Sequence, residues 1–174
     1  MADCTSNEAP PPVDAREQPI DVSQVRARLV RLAVKLVWNR DDAEEIAQEA
    51  FRLCLDKGMA PADPAFVPWL LRTVGNLCMN RRRARRFGPL EPWLERAPTE
   101  SPSVFAERAE RLSRVRAAID ELPEQQRLAL VLRTMDGLNY EEIATVMELS
   151  VAAVRTHVHL ARRRLMQKTG DSDQ

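Results

Sequence analysis

The stretch GLNYEEIATVMELSVAAVRTHVHLARRR, residues 137–164, decides the fold of this chain. Asn139, followed three residues later by Glu142, has the spacing of a capping box and predicts the start of a first helix. Ser150 predicts the cap of a second helix a few residues further on. The stretch therefore predicts two helices joined by a tight turn.

The second of these helices combines an apolar stripe with a cationic outer face. Its predicted buried residues recur at helical spacing: Val151, Val154, Val158, Ala161 and Leu165. Its other faces carry hydrogen-bonding side chains first and arginines later, namely Arg155, Thr156, His159, Arg162 and Arg163. The front of such a helix suits base edges in a major groove and the rear suits phosphates. This predicts a DNA-binding helix-turn-helix, with an ordinary hairpin bearing a solvated basic face as the alternative.

The remaining composition narrows the class of protein. No apolar run in the 174 residues approaches the roughly 20 needed to cross a bilayer, and the start does not resemble a secretory signal. Three cysteines without C-x-x-C spacing indicate reduced thiols, with Cys54 and Cys78 as apolar core residues. His157 and His159 point apart on a helix, which disfavours a metal site. We expect a cytoplasmic protein without membrane insertion, cofactor, metal or small-molecule substrate.

The net charge is zero, but charges of each sign are clustered along the chain. Arginines at positions 81, 82, 83, 85 and 86 form one cationic group, called the arginine block below. Acidic residues gather in the stretch DDAEEIAQEAF that begins at Asp41. This distribution predicts separate acidic and basic surfaces, and therefore two kinds of partner.

The hydrophobic periodicity predicts an all-α chain of two small helical domains joined by a Pro-rich linker. A flexible N-terminal tail is expected over residues 1–20, a first domain over 21–87 and a linker over 88–105. A second domain of four helices follows over 106–168, with a C-terminal tail over 169–174. Asp41 or Asp42 is expected to cap the second helix, Trp69 to open the third, and Leu112 to lie in the buried stripe of the fourth.

Three segments in this order resemble the extracytoplasmic-function, or group 4, sigma factors of bacterial RNA polymerase. They are DDAEEIAQEAF from Asp41, WLLRTVGNLCMNRRR from Trp69, and ELPEQQRLALVLRTMDGLNYEEIATVMELSVAAVRTHVHLARRRL from Glu121. The resemblance spans about residues 22–168. It implies a sigma region 2 domain, a linker and a sigma region 4 domain, in a transcription initiation factor that binds core polymerase, directs it to promoters and aids promoter melting.

The resemblance to region 2 implies roles for residues of the first domain. The acidic helix would contact the polymerase through Asp42, Glu45, Gln48 and Glu49. The loop from Met59 to Pro68 would hold a flipped base of the minus-ten element, with Trp69 as either a stacking platform or a core residue. Next to the melted strand and its phosphates the family places Asn76, Asn80, Arg81, Arg82 and Arg83.

The resemblance to region 4 implies that Arg155, Thr156 and His159 face bases of the minus-thirty-five element, and that Arg162 and Arg163 contact phosphates. Leu160 and His157 stand where many relatives carry arginine, so we expect a weaker promoter affinity or a different base preference. An anti-sigma factor is a further partner that the family implies.

Other functions remain as alternatives from the sequence. A stand-alone helix-turn-helix regulator would bind DNA without core polymerase, yet it would have no use for the acidic helix or the Trp69 segment. A metal-dependent hydrolase could use Asp41, Glu45 and Glu49 on one helix face, but no histidine, nucleophile or glycine-rich phosphate loop accompanies them. A sigma-like protein that only sequesters a partner is a third alternative. We expect no enzyme activity.

Overall fold

In a computed structural model, which describes residues 20–85 and 102–170, the part of the chain described is entirely α-helical. The first domain contains α1 (Val22–Val37), α2 (Arg40–Asp56) and α3 (Phe66–Arg85). The second contains α4 (Pro102–Asp120), α5 (Glu124–Met135), α6 (Tyr140–Met147) and α7 (Val151–Gly170). This confirms the all-α prediction. The predicted tail over residues 1–19 and most of the predicted linker lie outside the described residues.

The first domain is a three-helix unit whose helices begin at side-chain caps. Asp21 accepts hydrogen bonds from the backbone amides of Ser23 and Gln24 and caps α1. Asn39 caps α2 by accepting from the amide of Asp42, so the expected cap at Asp41 or Asp42 is wrong. Both aspartates lie inside the first turn of α2, where their charge favours the positive helix end.

The third helix begins earlier than its sequence pattern indicated. α3 starts at Phe66 rather than Trp69, and Pro68 lies in its first turn, where a missing amide hydrogen costs nothing. Phe66 is buried and contacts the ring of Phe51 with centroids 6.4 Å apart. The connection from α2 to α3 is therefore a short loop after Gly58, a residue with φ of +70° that ends the helical path.

The second domain has the four helices expected, with shifted boundaries. α4 begins at Pro102, so residues 102–105 of the predicted linker are helical, and α7 continues to Gly170, two residues into the predicted tail. Leu112 is 56% exposed, which contradicts its placement in the buried stripe, whereas Ala118 and Leu122 are buried. Pro123 is the residue before α5, where its fixed φ suits a helix start.

One apolar cluster spans both domains, and a smaller one, formed by Leu122, Leu130 and Ala161, lies within the second domain. A continuous cluster of buried residues runs from Val25 and Leu29 of α1 to Leu128 of α5 and Val158 of α7. α5 packs against α1, and α6 packs against α3. The two domains approach closely at Gly75 of α3, where an added Cβ would lie 3.0 Å from Cδ2 of Leu128. Leu128 of α5 can pack this close to α3 because Gly75 has no side chain.

Candidate nucleic-acid interface

The helix-turn-helix is built by its caps and by the core beneath it. Asn139 accepts from the amide of Glu142 at 2.8 Å, and Glu142 Oε2 accepts from the amide of Asn139 at 2.7 Å, which confirms the predicted capping box. Ser150 Oγ accepts from the amide of Ala153 at 3.1 Å and caps α7, as predicted. The turn between the helices passes through Glu148, whose φ of +52° lies in the left-handed region.

Helix α7 presents the predicted DNA-reading residues to solvent. Val154, Val158 and Ala161 are buried against the rest of the domain, so the opposite face is free. Every residue predicted for the minus-thirty-five element is exposed: Arg155, Thr156, His159, Arg162 and Arg163.

Two contacts hold the front of this face in place. The guanidinium of Arg155 lies over the ring of Tyr140, 5.4 Å from its centroid, and Thr156 Oγ1 donates to the carbonyl oxygen of Ala152 at 3.0 Å. Stacking on a tyrosine leaves the hydrogen-bonding edge of an arginine available to a base.

The two α7 positions at which the resemblance implied arginine, His157 and Leu160, face partly inwards. His157 and Leu160 are both half-buried. Nδ1 of His157 is a buried atom without a hydrogen-bond partner among the residues described. These side chains therefore belong to the inner edge of α7 rather than to its exposed face.

The arginine block is paired with carboxylates of the same molecule. Arg81 donates to Asp42 at 2.7 Å and to Glu45 at 3.1 Å, while Arg85 forms an ion pair with Asp42. The remaining two described members, Arg82 and Arg83, pair with residues of the second domain. Arg86 lies outside the described residues. The prediction of separate acidic and basic surfaces is wrong here, because the clustered charges neutralise one another.

The contacts of Arg82 and Arg83 join the two domains. Arg82 donates to the carbonyl oxygen of Leu36 at 2.9 Å and pairs with Asp120 at 2.8 Å, and its side chain is only 15% exposed. Nε of Arg83 donates to Glu124 Oε1 at 2.8 Å, and this hydrogen bond raises the pKa of Arg83 above its usual value. Arg82 is largely covered, whereas the Arg83 side chain is 62% exposed and is held only by its ion pair.

The predicted polymerase-binding residues of α2 divide into one buried and three outward side chains. Asp42 is 8% exposed and holds Arg81 and Arg85, which differs from the exposed position expected for it. Glu45 and Gln48 are exposed and Glu49 is half-buried. The hydrogen bond from Arg52 lowers the pKa of Glu49, so its carboxylate is charged at neutral pH. An outward acidic face remains without Asp42.

One of the predicted minus-ten residues, Asn76, lines a cleft at the domain boundary. The cleft, of about 460 Å³, is lined by Trp69, Arg72, Asn76 and Lys57 of the first domain and by Glu148 of the second. Asn76 is exposed at its edge, and Asn80 is exposed one turn further along α3. Trp69 is half-buried, packs against the core and carries the ammonium group of Lys57 5.1 Å from a ring centroid.

The loop expected to hold a flipped base is shorter than predicted, because Phe66 and Pro68 belong to α3. Asp63 stabilises its end by accepting from the amide of Ala65 at 2.7 Å. Phe66 packs in the core, so it offers no surface to a base. Residues 60–65 are exposed.

A buried arginine of α5, Arg127, was not among the residues predicted from the sequence. Arg127 is 1% exposed and donates to the carbonyl oxygens of Ile119, Asp120 and Leu122 at 2.7–3.0 Å, so it closes the end of α4. Its position between the apolar residues that flank it in α5 was the available signal. Two ion pairs between the domains, Arg28–Asp136 and Arg72–Glu148, could not be predicted from local sequence, because the partners lie far apart along the chain.

Other chemistry finds little support in the described residues. No group of three or more His, Cys, Asp or Glu side chains in residues 20–85 and 102–170 is placed to hold a metal ion. Within the same ranges, no helix is long and apolar enough to cross a membrane. Cys54 and Cys78 are free and buried, as predicted, and burial raises the pKa of Cys78 to about 12.

Two family profiles match this chain. Sigma-70 region 2 covers residues 22–87, and Sigma-70 region 4 covers residues 112–165. These ranges correspond to the three-helix and four-helix domains described above. The region 2 match spans α1 to α3, whereas the region 4 match begins within α4 and ends within α7.

Curated relatives carry the same assignment. The RNA polymerase sigma-H factor of Pseudomonas aeruginosa is 34% identical over 162 residues, which are 86% of this chain and 84% of that protein. The ECF RNA polymerase sigma factor SigE of Mycolicibacterium smegmatis is 35% identical over 151 residues, 83% of this chain but 58% of that protein. The ECF RNA polymerase sigma-E factor of Escherichia coli is 31% identical over 73% of each chain.

Solved structures share the fold. The sigma factor RpoE in complex with the anti-sigma factor NepR from Bartonella quintana matches with a TM-score of 0.63 at 20% identity, over 88% of this chain and 96% of that one. CnrH in complex with the cytosolic domain of CnrY matches with a TM-score of 0.62 at 26% identity, over 88% and 86%.

Proposed function

Because the chain belongs to the ECF RNA polymerase sigma factors, which direct RNA polymerase to promoters, we propose a division of this work between its two domains. The second domain reads the upstream promoter element. The first domain binds core polymerase and holds the melted downstream element. Neither domain performs bond chemistry, and the protein acts in the cytoplasm, where its polymerase and DNA are found.

The exposed face of α7 is the observation that carries the assignment to the second domain. Arg155, Thr156 and His159 occupy its front and are exposed, so they can reach base edges when the helix lies in a major groove. Arg162 and Arg163 follow one turn later and would contact phosphates. This arrangement supports recognition of the minus-thirty-five element by α7.

We assign core-polymerase binding to the outward face of α2. Glu45, Gln48 and Glu49 are placed to meet a basic partner, because they lie on one side of the helix at spacings of three and four. Asp42 is not part of this face, because it is buried and pairs with Arg81 and Arg85. Charge complementarity of this kind gives orientation and association rate more than affinity.

The first domain also carries the proposed contacts with the minus-ten element. Asn76 and Asn80 lie one turn apart on the exposed side of α3, where each amide can both donate to and accept from an unpaired base. The arginine block would then follow the phosphates, in contacts that give attraction but no sequence information. Those contacts require Arg82 and Arg83 to leave their present carboxylate partners.

We further propose an anti-sigma factor as a partner. Two solved structures that share this fold contain a second polypeptide: the sigma factor RpoE is in complex with the anti-sigma factor NepR, and CnrH is in complex with the cytosolic domain of CnrY. A partner that covers either the acidic face of α2 or the exposed face of α7 would block the functions assigned above.

The first test is co-elution of the purified protein with bacterial core RNA polymerase on a sizing column, followed by run-off transcription on genomic fragments. We expect a stable complex and transcripts that depend on the protein. A folded protein that shifts DNA but remains free of core would instead be a stand-alone regulator.

The second test locates the docking face on α2. Glu45→Lys together with Glu49→Lys should weaken core binding while the helical circular dichroism is retained, because the two side chains are 66% and 41% exposed. Asp56→Lys, at the far end of the same helix and 60% exposed, is the matched control. Equal affinity of the double variant and the control would remove α2 from the docking site.

A further inference from the structure

We infer that Tyr140 is a positioning residue for promoter reading, because its ring holds the guanidinium of Arg155 in an orientation from which that side chain reaches a base edge. This role rests on the base reading proposed above for Arg155. It gives a part in DNA recognition to a residue of α6 that the sequence did not single out. The ring acts through Arg155 and not through a contact of its own with DNA.

The ring of Tyr140 carries a cation from each of the two neighbouring helices. The guanidinium carbon of Arg133 in α5 lies 4.9 Å from the ring centroid, and that of Arg155 in α7 lies 5.4 Å from it. Both distances are within the roughly 6 Å at which the face of an aromatic ring attracts a guanidinium. One side chain of α6 therefore links three helices of the second domain.

The position of the ring is fixed by the backbone and by the core. Tyr140 is the first residue of α6, and it follows Asn139, whose capping box with Glu142 sets the start of that helix. Its side chain is half-buried and packs against the apolar cluster that includes Ile143. A tyrosine has only two side-chain torsions, so little freedom is lost when it is held in place. The ring is thus a rigid support.

The two arginines on the ring differ in how many of their donors remain free. Nη1 of Arg133 donates to the carbonyl oxygen of Leu138 at 2.8 Å, and the Arg133 side chain is half-buried. Arg155 is exposed, and among the described residues its guanidinium has no hydrogen-bond or ion-pair partner. Arg133 therefore restrains the ring from the side of α5, whereas Arg155 keeps its donors for DNA.

A support of this kind changes what an arginine binds. Stacking restricts the plane of the guanidinium and leaves its edge N–H groups outward, where they can form the paired hydrogen bonds with O6 and N7 of a guanine. An unsupported arginine is drawn to the phosphates on both sides of the groove, which carry no sequence information. The ring therefore favours base reading over phosphate binding by Arg155.

The remaining cations on the exposed face of α7 provide a contrast. Arg162 and Arg163 are exposed, and neither lies over an aromatic ring of the described residues. Contact with a phosphate requires charge but no particular plane of the guanidinium, so these side chains need no such support. Of the three α7 arginines proposed to contact DNA, the one proposed to read a base is the one that a ring supports.

The test compares Tyr140→Leu, which removes the ring, with Tyr140→Phe, which removes only the hydroxyl group. The DNA is the upstream duplex that the full-length protein, in complex with core polymerase, selects from a randomised pool, together with its single-base variants. Tyr140→Leu should lower discrimination at one base pair by about two- to five-fold, the factor that an exposed cation–π contact corresponds to. Tyr140→Phe should keep the discrimination of the unmodified protein.

Arg155→Ala identifies that base pair and completes a double-mutant cycle. Because Tyr140 acts through Arg155, Tyr140→Leu should cause no further loss of discrimination there once position 155 is alanine. Additive losses would show that Tyr140 acts on DNA by another route, and would overturn the inference. A uniform loss of affinity in Tyr140→Phe would do the same, since it would make the hydroxyl group a phosphate contact.

A packing control separates positioning from damage to the helix-turn-helix. Met147 lies in the same helix as Tyr140 and is half-buried against the same apolar cluster. Met147→Ala should destabilise the domain and leave the discrimination ratios unchanged. If it lowers discrimination at the Arg155 base pair as much as Tyr140→Leu does, the effect is one of packing and the inference is wrong.

A second ring-free variant covers the case in which Tyr140→Leu loses its helical circular dichroism. Tyr140→Met fills the space with a flexible apolar side chain. We expect the same two- to five-fold loss at the Arg155 base pair, and unaltered discrimination in this variant would refute the positioning role.

Failure of this inference is distinguishable from failure of the proposed function. If Arg155→Ala leaves discrimination unchanged at every base pair, Arg155 reads no base, and the proposed role fails together with the inference. If Arg155→Ala relaxes one base pair and the ring-free variants do not, the proposed function stands and the inference alone is overturned. Relaxation of the same base pair by both changes, without additivity, is the result expected.

Discussion

The arginines at the end of α3 and those on α7 are alike in sequence and opposite in availability. Each of the described members of the arginine block contacts a carboxylate, and two of these partners come from the other domain. On α7, Arg162 and Arg163 are exposed and form no ion pair with any residue the structure describes. A cationic run therefore indicates how much charge is present but not whether the charge is free to bind a partner.

A buried arginine, Arg127, adds a third case to this comparison. Arg127 is enclosed in the second domain and donates to three backbone carbonyl oxygens at and just after the end of α4. Its charge is part of the fold. Location alone thus separates arginines that stabilise, arginines that join domains and arginines that face DNA.

The largest effect is expected from loss of the buried arginine. Arg127→Ala should lower the free energy of unfolding by about 3–5 kcal/mol, because it leaves buried carbonyl groups unpaired and opens a cavity. Arg162→Ala, the matched change on the exposed face, should alter stability by less than about 0.5 kcal/mol. Urea unfolding followed by circular dichroism measures both. Similar losses for the two variants would contradict the distinction between them.

The next effect concerns base recognition by α7. Arg155→Ala should reduce discrimination at one position of the upstream promoter element by about 1–3 kcal/mol, the usual value of a bidentate contact with guanine. Binding to a set of duplexes with single base changes measures it. A uniform loss over all sequences would make Arg155 a phosphate contact, and Arg163→Ala provides that pattern for comparison.

A smaller effect tests directly whether these arginines are free to bind DNA. Arg162→Gln with Arg163→Gln should flatten the salt slope of DNA binding by the free protein by about 1.8, or about 0.9 for each phosphate lost. The same changes at Arg82 and Arg83 should leave that slope unaltered in the free protein and flatten it only in complex with core polymerase. A flatter slope for free Arg82→Gln/Arg83→Gln would mean that these side chains already reach DNA.

The smallest effect is expected at Glu148, in the turn between α6 and α7. Glu148 has a φ of +52°, which costs a non-glycine residue about 1 kcal/mol, and it also pairs with Arg72 of the first domain. Glu148→Gly should stabilise the second domain by about that amount while removing the ion pair. Glu148→Gln keeps the backbone cost and removes only the charge. Thermal unfolding of both variants separates the two contributions, and a destabilised glycine variant would contradict the assigned strain.

Local signals predicted much of the fold because their causes lie within a few residues. The capping box at Asn139, the cap at Ser150 and the stripe through Val154 and Val158 depend on hydrogen bonds and spacings within one or two turns. Boundaries were less accurate. Asn39 caps α2 in place of Asp41 or Asp42, and α3 begins before Trp69. Neighbouring residues with similar preferences compete for the same position, so a local pattern does not choose between them.

The candidate site was predictable in its residue types but not in its exposure. Each of the five α7 residues lies on the solvent side, since the buried stripe fixes the opposite face of a helix. Asp42 could not be assigned in the same way. It has the composition of a docking residue, yet Arg81 and Arg85 return to it from a position about 40 residues later.

Local patterns in the sequence predicted the helices, the helix-turn-helix and the likeness to a sigma factor, because periodicity, caps and motif order are properties of neighbouring residues. Which charges are free depends on the tertiary fold. Gly75 and Leu128 bring the domains together, and this approach sets carboxylates of α5 and its flanks against arginines of α1 and α3. Pairing depends on distances of a few ångströms between residues far apart in the chain, which no local pattern encodes.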